Sequence, residues 1–162
     1  MSQDYEPIFN PESPPILGFT DQYEFLSNFH KSRLTYQGIS FSSSEQAYVY
    51  SKKEPVDIND DPRWLLTILA DDNPGRLKRL GDKVKLRDNW DNLKYNIMRD
   101  IVRCKFIQSP WLTKLLLDTG DSYIEETNWW KDTYWGVCDG VGENHLGNIL
   151  MQLRKEIREC LK

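Results

Sequence analysis

The residues best suited to chemistry are concentrated late in the chain, between Thr119 and Arg154. Three of the six Trp lie within seven positions there, interleaved with acidic residues and followed by three Gly. Aromatic faces stack on flat rings, carboxylates stabilise cationic centres, and glycine backbone lets a ligand approach closely. The combination indicates a binding or catalytic segment, with the candidates Glu125, Trp129, Asp132, Trp135 and Gly136.

A second group of reactive residues lies in the first third of the chain. A capping box at Ser43 predicts a helix that continues to about Glu54. On that helix Glu45, Tyr48 and Lys52 fall on one face, with a rise of about 10 Å from first to last. This face would present an acid, a ring and an amine to one pocket. The structural alternatives are that Glu45 only caps the helix and that Lys52 only lies along the surface.

The remaining candidates have equally plain structural interpretations. Asn144 is a preferred N-cap residue, and a helix N-terminus also attracts phosphate. Gly140 and Gly142 do not complete a dinucleotide fingerprint, because His145 occupies the place of its third glycine. A Trp is more often packed in a core than used for binding, and exposed Trp129-Trp130 would alternatively suit a protein partner.

The elements that must position these residues are mostly helices. Proline-headed starts at Asp61-Pro62, Asn73-Pro74 and Ser109-Pro110 predict three of them, the last closed by Gly120. Apolar periodicity predicts two longer helices, Asp88 to Gln108 and Asn144 to about Leu161. A tight hairpin around Gln37-Gly38, a weak alternation at Tyr23–Phe29 and a short strand at Tyr123–Glu125 supply the β structure.

Length and element types together indicate the fold class. A chain of 162 residues suits one domain with a real core. Residues 1–17 contain four Pro and are predicted to form an extended N-terminal arm. Residues 18–162 are predicted to form a single compact helical domain with a small N-terminal β-hairpin element. The class is therefore mainly α (α+β).

Composition excludes several kinds of protein. A formal net charge of −4 argues against a general binder of the phosphate backbone. No apolar run approaches the roughly 20 residues of a membrane span, and the N-terminus resembles no signal peptide. The three Cys form no CxxC pair, which argues against a disulfide framework or a zinc site. We therefore expect a cytoplasmic protein with no membrane partner, no metal and no cofactor.

In combination, these segments resemble the NADAR (YbiA-like) family. The similarity covers about residues 19 to 158 and lies in several motifs in the same order. They are Phe25–Phe29, Ser43–Gln46, Lys52, Arg87–Trp90, Met98, Lys105-Phe106, Thr119–Asp121, Ile124-Glu125, Asp132, Trp135-Gly136, Asn144–Gly147, Leu150-Met151 and Arg154.

The resemblance implies a YbiA-like fold and an N-glycosidase. Members cleave the bond between ribose C1 and nitrogen, in phosphoribosylamino-pyrimidine intermediates of riboflavin synthesis or in ADP-ribosyl adducts on nucleobases. Carried onto this chain, it implies three catalytic residues, Glu45, Lys52 and Asp132. It also implies a substrate-binding set, namely Asn28, Arg87, Trp90, Glu125, Trp129, Trp135, Gly136, Asn144 and Gly147.

The partner implied by the resemblance is a small ribosylated or nucleotide substrate. Cleavage builds positive charge on the sugar, which Glu45 or Asp132 would stabilise. Lys52 offers a second route, since an amine can exchange into the imine of an opened ribosylamine. The alternatives are an ADP-ribosyl hydrolase acting on nucleic acid and a non-catalytic module that senses NAD or ADP-ribose. Departures from the family pattern at Gln46, Asn89 and Cys138 make substrate preference the least transferable property.

Overall fold

The computed structural model describes residues 7–54 and 61–162, and its contacts divide the chain into two units. The central unit is Asn28–Pro110, and the terminal unit combines the residues up to Ser27 with Trp111–Lys162. The strands are β1 (Ile16–Leu17), β2 (Leu34–Tyr36), β3 (Ile39–Phe41), β4 (Ile124–Glu125), β5 (Thr127–Asn128) and β6 (Val137–Cys138). The helices are α1 (Ser44–Ser51), α2 (Arg63–Leu69), α3 (Pro74–Gly81), α4 (Trp90–Ile107), α5 (Pro110–Asp118) and α6 (His145–Cys160).

The predicted hairpin opens the central unit. Strands β2 and β3 pair antiparallel, with Tyr36 opposite Ile39. The two residues between them, Gln37 and Gly38, both have positive φ (50° and 77°). This backbone matches the twist of the flanking strands, and glycine adopts it without strain. The hairpin packs against α1 and α4.

Local capping explains where two helices of the central unit, α1 and α3, begin. The Ser43 hydroxyl accepts a hydrogen bond from the Gln46 amide at 3.1 Å and starts α1. Asn73 does the same for α3 through Arg76 at 2.9 Å. Helix α1 packs against α2, α3 and α4. The buried apolar side chains of this unit include Phe41, Val49, Ile68, Leu77, Met98, Ile101, Val102 and Phe106.

The terminal unit is organised around α6. Strand β4 packs on this helix and pairs in parallel with β1, and β5 pairs in parallel with β6. The fully buried Arg154 donates to the Thr119 hydroxyl at 2.8 Å and to the carbonyls of Ile8 and Ser122 at 3.1 and 2.9 Å. Burial lowers the pKa of Arg154 to about 10, so its guanidinium remains charged at neutral pH. One side chain therefore joins three separate parts of this unit.

The fold class is confirmed as mainly helical with a few short strands. One predicted element is wrong: the alternation at Tyr23–Phe29 is not β structure, because Asp21–Leu26 forms a short 3-10 helix with Phe25 and Leu26 buried. Within the predicted arm, Ile16-Leu17 forms β1, whereas residues 1–6 lie outside the described part. The division into an arm and a single domain 18–162 stays a prediction.

Two further expectations concern the surroundings of the protein. Among the described residues, no helix is long and apolar enough to cross a membrane. Cys104, Cys138 and Cys160 are free thiols. The cytoplasmic location remains a prediction.

Candidate functional site

Glu45 lies in the first turn of α1, on a buried part of the central unit. Glu45 is only 8% exposed. Its backbone amide donates to the carbonyl of Asn28 at 3.0 Å, which fixes the start of the helix to the segment before the hairpin. The cap of α1 is Ser43 rather than Glu45. Glu45 is therefore not the N-cap residue of α1, and its catalytic role stays a prediction.

Two buried polar atoms accompany Glu45 at this end of α1. The Asn28 amide nitrogen donates to the sulfur of Met98 at 3.3 Å, and its Oδ1 accepts no hydrogen bond from the described residues. The hydroxyl of Ser44 has no hydrogen-bond partner there either. Buried polar groups are almost always hydrogen-bonded, so such atoms are candidates for contact with a ligand or water. Asn28 is one of the predicted binding residues.

Lys52 stands at the other end of α1. It is the C-cap residue, and its side chain is 12% exposed. Its ammonium lies 5.7 Å from the centroid of the Tyr48 ring and 3.5 Å from a carboxylate oxygen of Asp82. A Cβ on Gly81 would approach this ammonium to 3.1 Å. Helix α3 therefore encloses the amine, and the predicted face of Glu45, Tyr48 and Lys52 exists on one side of α1.

Trp90 extends this face, and Arg87 is bonded to the end of α1. The Trp90 ring is buried and lies 5.3 Å from the Tyr48 ring, tilted by 48°. The backbone amide of Arg87 donates to the carbonyl of Lys52 at 2.8 Å. Its guanidinium Nε lies 3.3 Å from a carboxylate oxygen of Glu54. The central unit thus gathers all five of its predicted site residues around α1.

In the terminal unit, the tryptophan loop (residues 128–135) is held by one buried side chain that the sequence analysis missed. The Asn128 amide nitrogen donates to the carbonyl of Asp132 at 2.8 Å, and its Oδ1 accepts from the Asp132 amide at 3.1 Å. The Asp132 carboxylate accepts in turn from the amides of Tyr134 and Trp135, at 3.2 and 2.9 Å. Asp132 therefore shapes the turn that presents Trp135.

The aromatic side chains of this loop differ in exposure. Trp129 is 83% exposed and Trp130 46%, and their rings meet edge to face at 4.9 Å. Core packing is therefore excluded for Trp129. Trp135 is half-buried, edge to face with Tyr134 at 4.8 Å, and Tyr134 lies 4.4 Å from the ring of His145. The loop offers both an exposed ring pair and a supported ring cluster.

Asn144 organises the other side of the terminal unit. It is the N-cap residue of α6, as predicted, with φ 51°, but its side chain makes no capping bond to the helix. Its Oδ1 accepts from the Glu126 amide at 3.1 Å, and its Nδ2 donates to the Ile124 carbonyl at 2.8 Å and the Tyr123 hydroxyl at 3.1 Å. Burial raises the pKa of the Tyr123 hydroxyl, and the negative charge of Glu125 raises it further. Asn144 thus ties strand β4 and the residue that follows it to the start of α6.

The two predicted binding glycines have a packing reason for their identity. A Cβ on Gly136 would collide with the carbonyl oxygen of Glu126. A Cβ on Gly147 would collide with the Ile124 carbonyl and with the Asn144 side chain. Both glycines allow backbone to approach backbone closely, as residues without a Cβ do. Their contact with substrate stays a prediction.

The structure thus places the predicted residues in two sets. The central unit holds Asn28, Glu45, Lys52, Arg87 and Trp90. The terminal unit holds Glu125, Trp129, Asp132, Trp135, Gly136, Asn144 and Gly147. Sequence reasoning missed Asn128 and Tyr123, which support the second set. An Asn four residues before Asp132 was the available indication, because an Asn side chain bonds backbone across a tight loop. The catalytic and binding roles remain predictions.

Comparison with known proteins gives the family. The NADAR domain model matches residues 12–158. The chain is 35% identical over 142 residues to a riboflavin biosynthesis protein of Vibrio vulnificus, covering 86% of this chain but only 37% of that protein. It is 32% identical over 141 residues to the N-glycosidase YbiA of Escherichia coli, covering 85% of this chain and 84% of that protein.

A solved structure agrees with these similarities. The NMR structure of the Escherichia coli protein YbiA superposes with a TM-score of 0.77 at 28% identity, over 97% of this chain and 96% of that one. The resemblance and the YbiA-like fold predicted from the motifs are confirmed. The chain belongs to the NADAR domain family.

Proposed function

We propose that this protein is an N-glycosidase that hydrolyses the bond between C1 of a ribose and a nitrogen. The observation that carries the proposal is the buried face of α1, which combines the Glu45 carboxylate with the Lys52 amine beside the Tyr48 ring. A binding module has no need for a desolvated acid and amine on one helix face. The relatives named N-glycosidase support the same class of activity.

Glu45 suits the electrostatic part of the reaction. Breaking the C1–N bond leaves positive charge on the sugar, and a preorganised carboxylate stabilises that charge in a site with little water. The same carboxyl group can donate the proton that the departing nitrogen requires. Asp132 is the second carboxylate that the family resemblance implies. Its bonds to the amides of Tyr134 and Trp135 support a role in presenting Trp135.

Lys52 suits a covalent route. When the ribosylamine opens, C1 and the departing nitrogen form an imine. The Lys52 ammonium gives one proton to the imine nitrogen and adds to C1 as the amine. Glu45 then takes a second proton from the added nitrogen and passes it to the base nitrogen, and the C1–N bond to the base breaks as the Lys52 Schiff base forms. Water adds to the resulting Schiff base and releases the sugar as its aldehyde, which restores the lysine. The alternative is direct attack of water on C1, with Glu45 as the base and no bond to Lys52.

Two substrate classes fit the proposal. The first is a phosphoribosylamino-pyrimidine, which the relatives named as riboflavin biosynthesis proteins support. The second is an ADP-ribosyl adduct on a nucleobase, as a small molecule or in nucleic acid. We favour the small molecule, because a net charge of −4 opposes association with a polyanion. The proposed location is the cytoplasm.

Product analysis tests the activity. The purified protein is incubated with phosphoribosylamino-pyrimidine, NAD, ADP-ribose and DNA carrying ADP-ribosylated guanine, and the products are identified by mass spectrometry. We expect release of a free base from one member. Glu45→Gln should lower that rate at least a hundredfold, whereas the exposed control Glu159→Gln should leave it unchanged. If no member is cleaved but ADP-ribose still binds, the chain is a sensor and the proposal is wrong.

Borohydride trapping tests the covalent route. During turnover with the cleaved substrate, reduction should add the mass of the sugar to a peptide that contains Lys52. Lys52→Met should abolish both the adduct and turnover, and the exposed Lys83→Met serves as the matched control. Turnover without any adduct would leave direct attack of water as the mechanism.

A further inference from the structure

The central unit contains a cavity of about 360 Å³, and Arg87 is the one predicted substrate-binding residue among its lining residues. Glu45, Tyr48 and Lys52 are not among its lining residues. Tyr50 lines it, five positions after Glu45 and therefore about 140° further around α1. The cavity thus lies on a different side of this helix from the proposed catalytic face. Its volume is in the lower part of the range for small-molecule sites, about 300–1,000 Å³.

Helix α2 builds one wall of this cavity. The Trp64 indole N–H donates to the carbonyl of Tyr50 at 2.9 Å, which fixes the ring against the end of α1. The Lys53 ammonium lies 4.8 Å from the centroid of the same ring. Tyr36 and Tyr50 also line the cavity, so three aromatic residues contribute to its wall. Such rings bind flat heterocycles by stacking.

The lining is also rich in charge. It includes three cations, Lys53, Arg63 and Arg87, and two carboxylates, Glu54 and Asp61. Asp61 is occupied by Arg63 through bonds to Nε and Nη2, each 2.8 Å long.

Arg87 is held more loosely. Its Nε is buried and makes no hydrogen bond to the described residues, although the Glu54 carboxylate oxygen is 3.3 Å away. Because Glu54 is largely exposed, an anionic group can replace it beside the guanidinium at little cost.

We propose that this cavity binds a mononucleotide moiety, a flat base joined through ribose to one phosphate. The base stacks among Trp64, Tyr36 and Tyr50, and the phosphate lies near Lys53 and Arg87. Two sources supply this chemistry: a free nucleotide, or the distal half of a dinucleotide-like substrate.

Binding of adenosine 5′-monophosphate, measured by isothermal titration calorimetry on the full chain, tests the site without any turnover. We expect Trp64→Ala to weaken binding about tenfold or more, because stacking on one aromatic ring is lost. Trp111→Ala, which removes an exposed Trp of the terminal unit, should leave the affinity unchanged. Trp64→Phe keeps a ring without the N–H and should retain most of the affinity, which separates loss of stacking from loss of folding.

The phosphate contact has its own comparison. Wild type should bind the monophosphate more tightly than adenosine, and Lys53→Met should reduce that advantage. No binding of either ligand at millimolar concentration would overturn the site. Equal affinities for wild type, Trp64→Ala and Trp111→Ala would show that the ligand binds elsewhere and would overturn it too.

The two sources are separated by kinetics, and this arm alone rests on the proposed glycosidase function. If the moiety is half of the substrate, Trp64→Ala raises KM for an ADP-ribosyl substrate but not for a phosphoribosyl one, and the monophosphate competes with the former. If it is a free nucleotide, the monophosphate binds without competing. Both patterns support the site and identify its source.

Discussion

Replacing Gly147 by Ala should destabilise the terminal unit, although alanine is the better helix former. Gly147 lies in the first turn of α6, where Ala is favoured over Gly by about 1 kcal/mol. Against that gain, the new Cβ would meet the carbonyl oxygen of Ile124 and both side-chain atoms of the Asn144 amide. The carbonyl belongs to β4 and cannot rotate away as a flexible side chain would.

The expected size of the effect follows from these contacts. Overpacking in a tight site costs about 1–3 kcal/mol. Asn144 makes three hydrogen bonds to Glu126, Ile124 and Tyr123, and each bond contributes about 1 kcal/mol. Losing two of them together with the steric cost, less the helix gain, gives a net loss of about 3 kcal/mol. That is a large fraction of the roughly 5–15 kcal/mol that stabilises a typical domain.

Gly75 provides the matched control. It lies in the first turn of α3, and a Cβ there would be in ordinary contact, 3.4 Å from the Asn73 Oδ1 and 3.8 Å from an Arg79 nitrogen. Urea unfolding followed by circular dichroism gives the free energy of unfolding for each variant. Gly75→Ala should be neutral or up to about 1 kcal/mol more stable. A Gly147→Ala protein within about 0.5 kcal/mol of wild type would refute the steric argument.

Three further predictions concern buried polar side chains. Burial lowers the pKa of Lys105 from 10.5 to about 7, so the unfolded chain binds more protons between these values and stability should rise with pH across that window. Urea unfolding at pH 7 and pH 9 should show a smaller increase in the free energy of unfolding for Lys105→Met than for wild type. An equal increase in both proteins would contradict the lowered pKa of Lys105. Arg154→Met removes the bonds to Thr119 and two carbonyls and should lower the free energy of unfolding by about 3 kcal/mol in the same assay. A decrease of less than about 1 kcal/mol would contradict the stabilising role of these bonds. The Asn128 side chain accepts a hydrogen bond from the Asp132 amide, so Asn128→Ala should speed hydrogen exchange at that amide. Amides in the middle of α4 should stay as protected as in wild type.

Local signals account for the parts of the fold that were predicted well. The hairpin turn at Gln37-Gly38, the cap at Ser43 and the Asn73-Pro74 start each depend on residues within four positions of one another. Such signals are complete in the sequence, since both partners of each interaction are visible there. The 3-10 helix at Asp21–Leu26 was missed because its alternation of apolar residues also suits a strand.

The site was predicted only as far as its residue types and their spacing. The spacing of Glu45, Tyr48 and Lys52 puts them on one face of a helix, because helix geometry alone decides it. That this face is buried depends on α3 and Trp90, which are about 30 to 45 residues away in sequence. The cavity behind α2 was not predicted, because none of its aromatic residues forms a motif with its neighbours.

Sequence by itself determined the helices, the hairpin, the family and the acid and amine on one helix face. Each of these depends on short-range spacing or on the order of motifs, and both can be read from the sequence without knowledge of the fold. Tertiary structure alone decided the roles of Asn144 and Arg154. Most of their partners are backbone groups, which every residue has and no sequence pattern distinguishes, and these partners lie far along the chain. Only the folded arrangement decides which backbone groups a buried amide or guanidinium will reach.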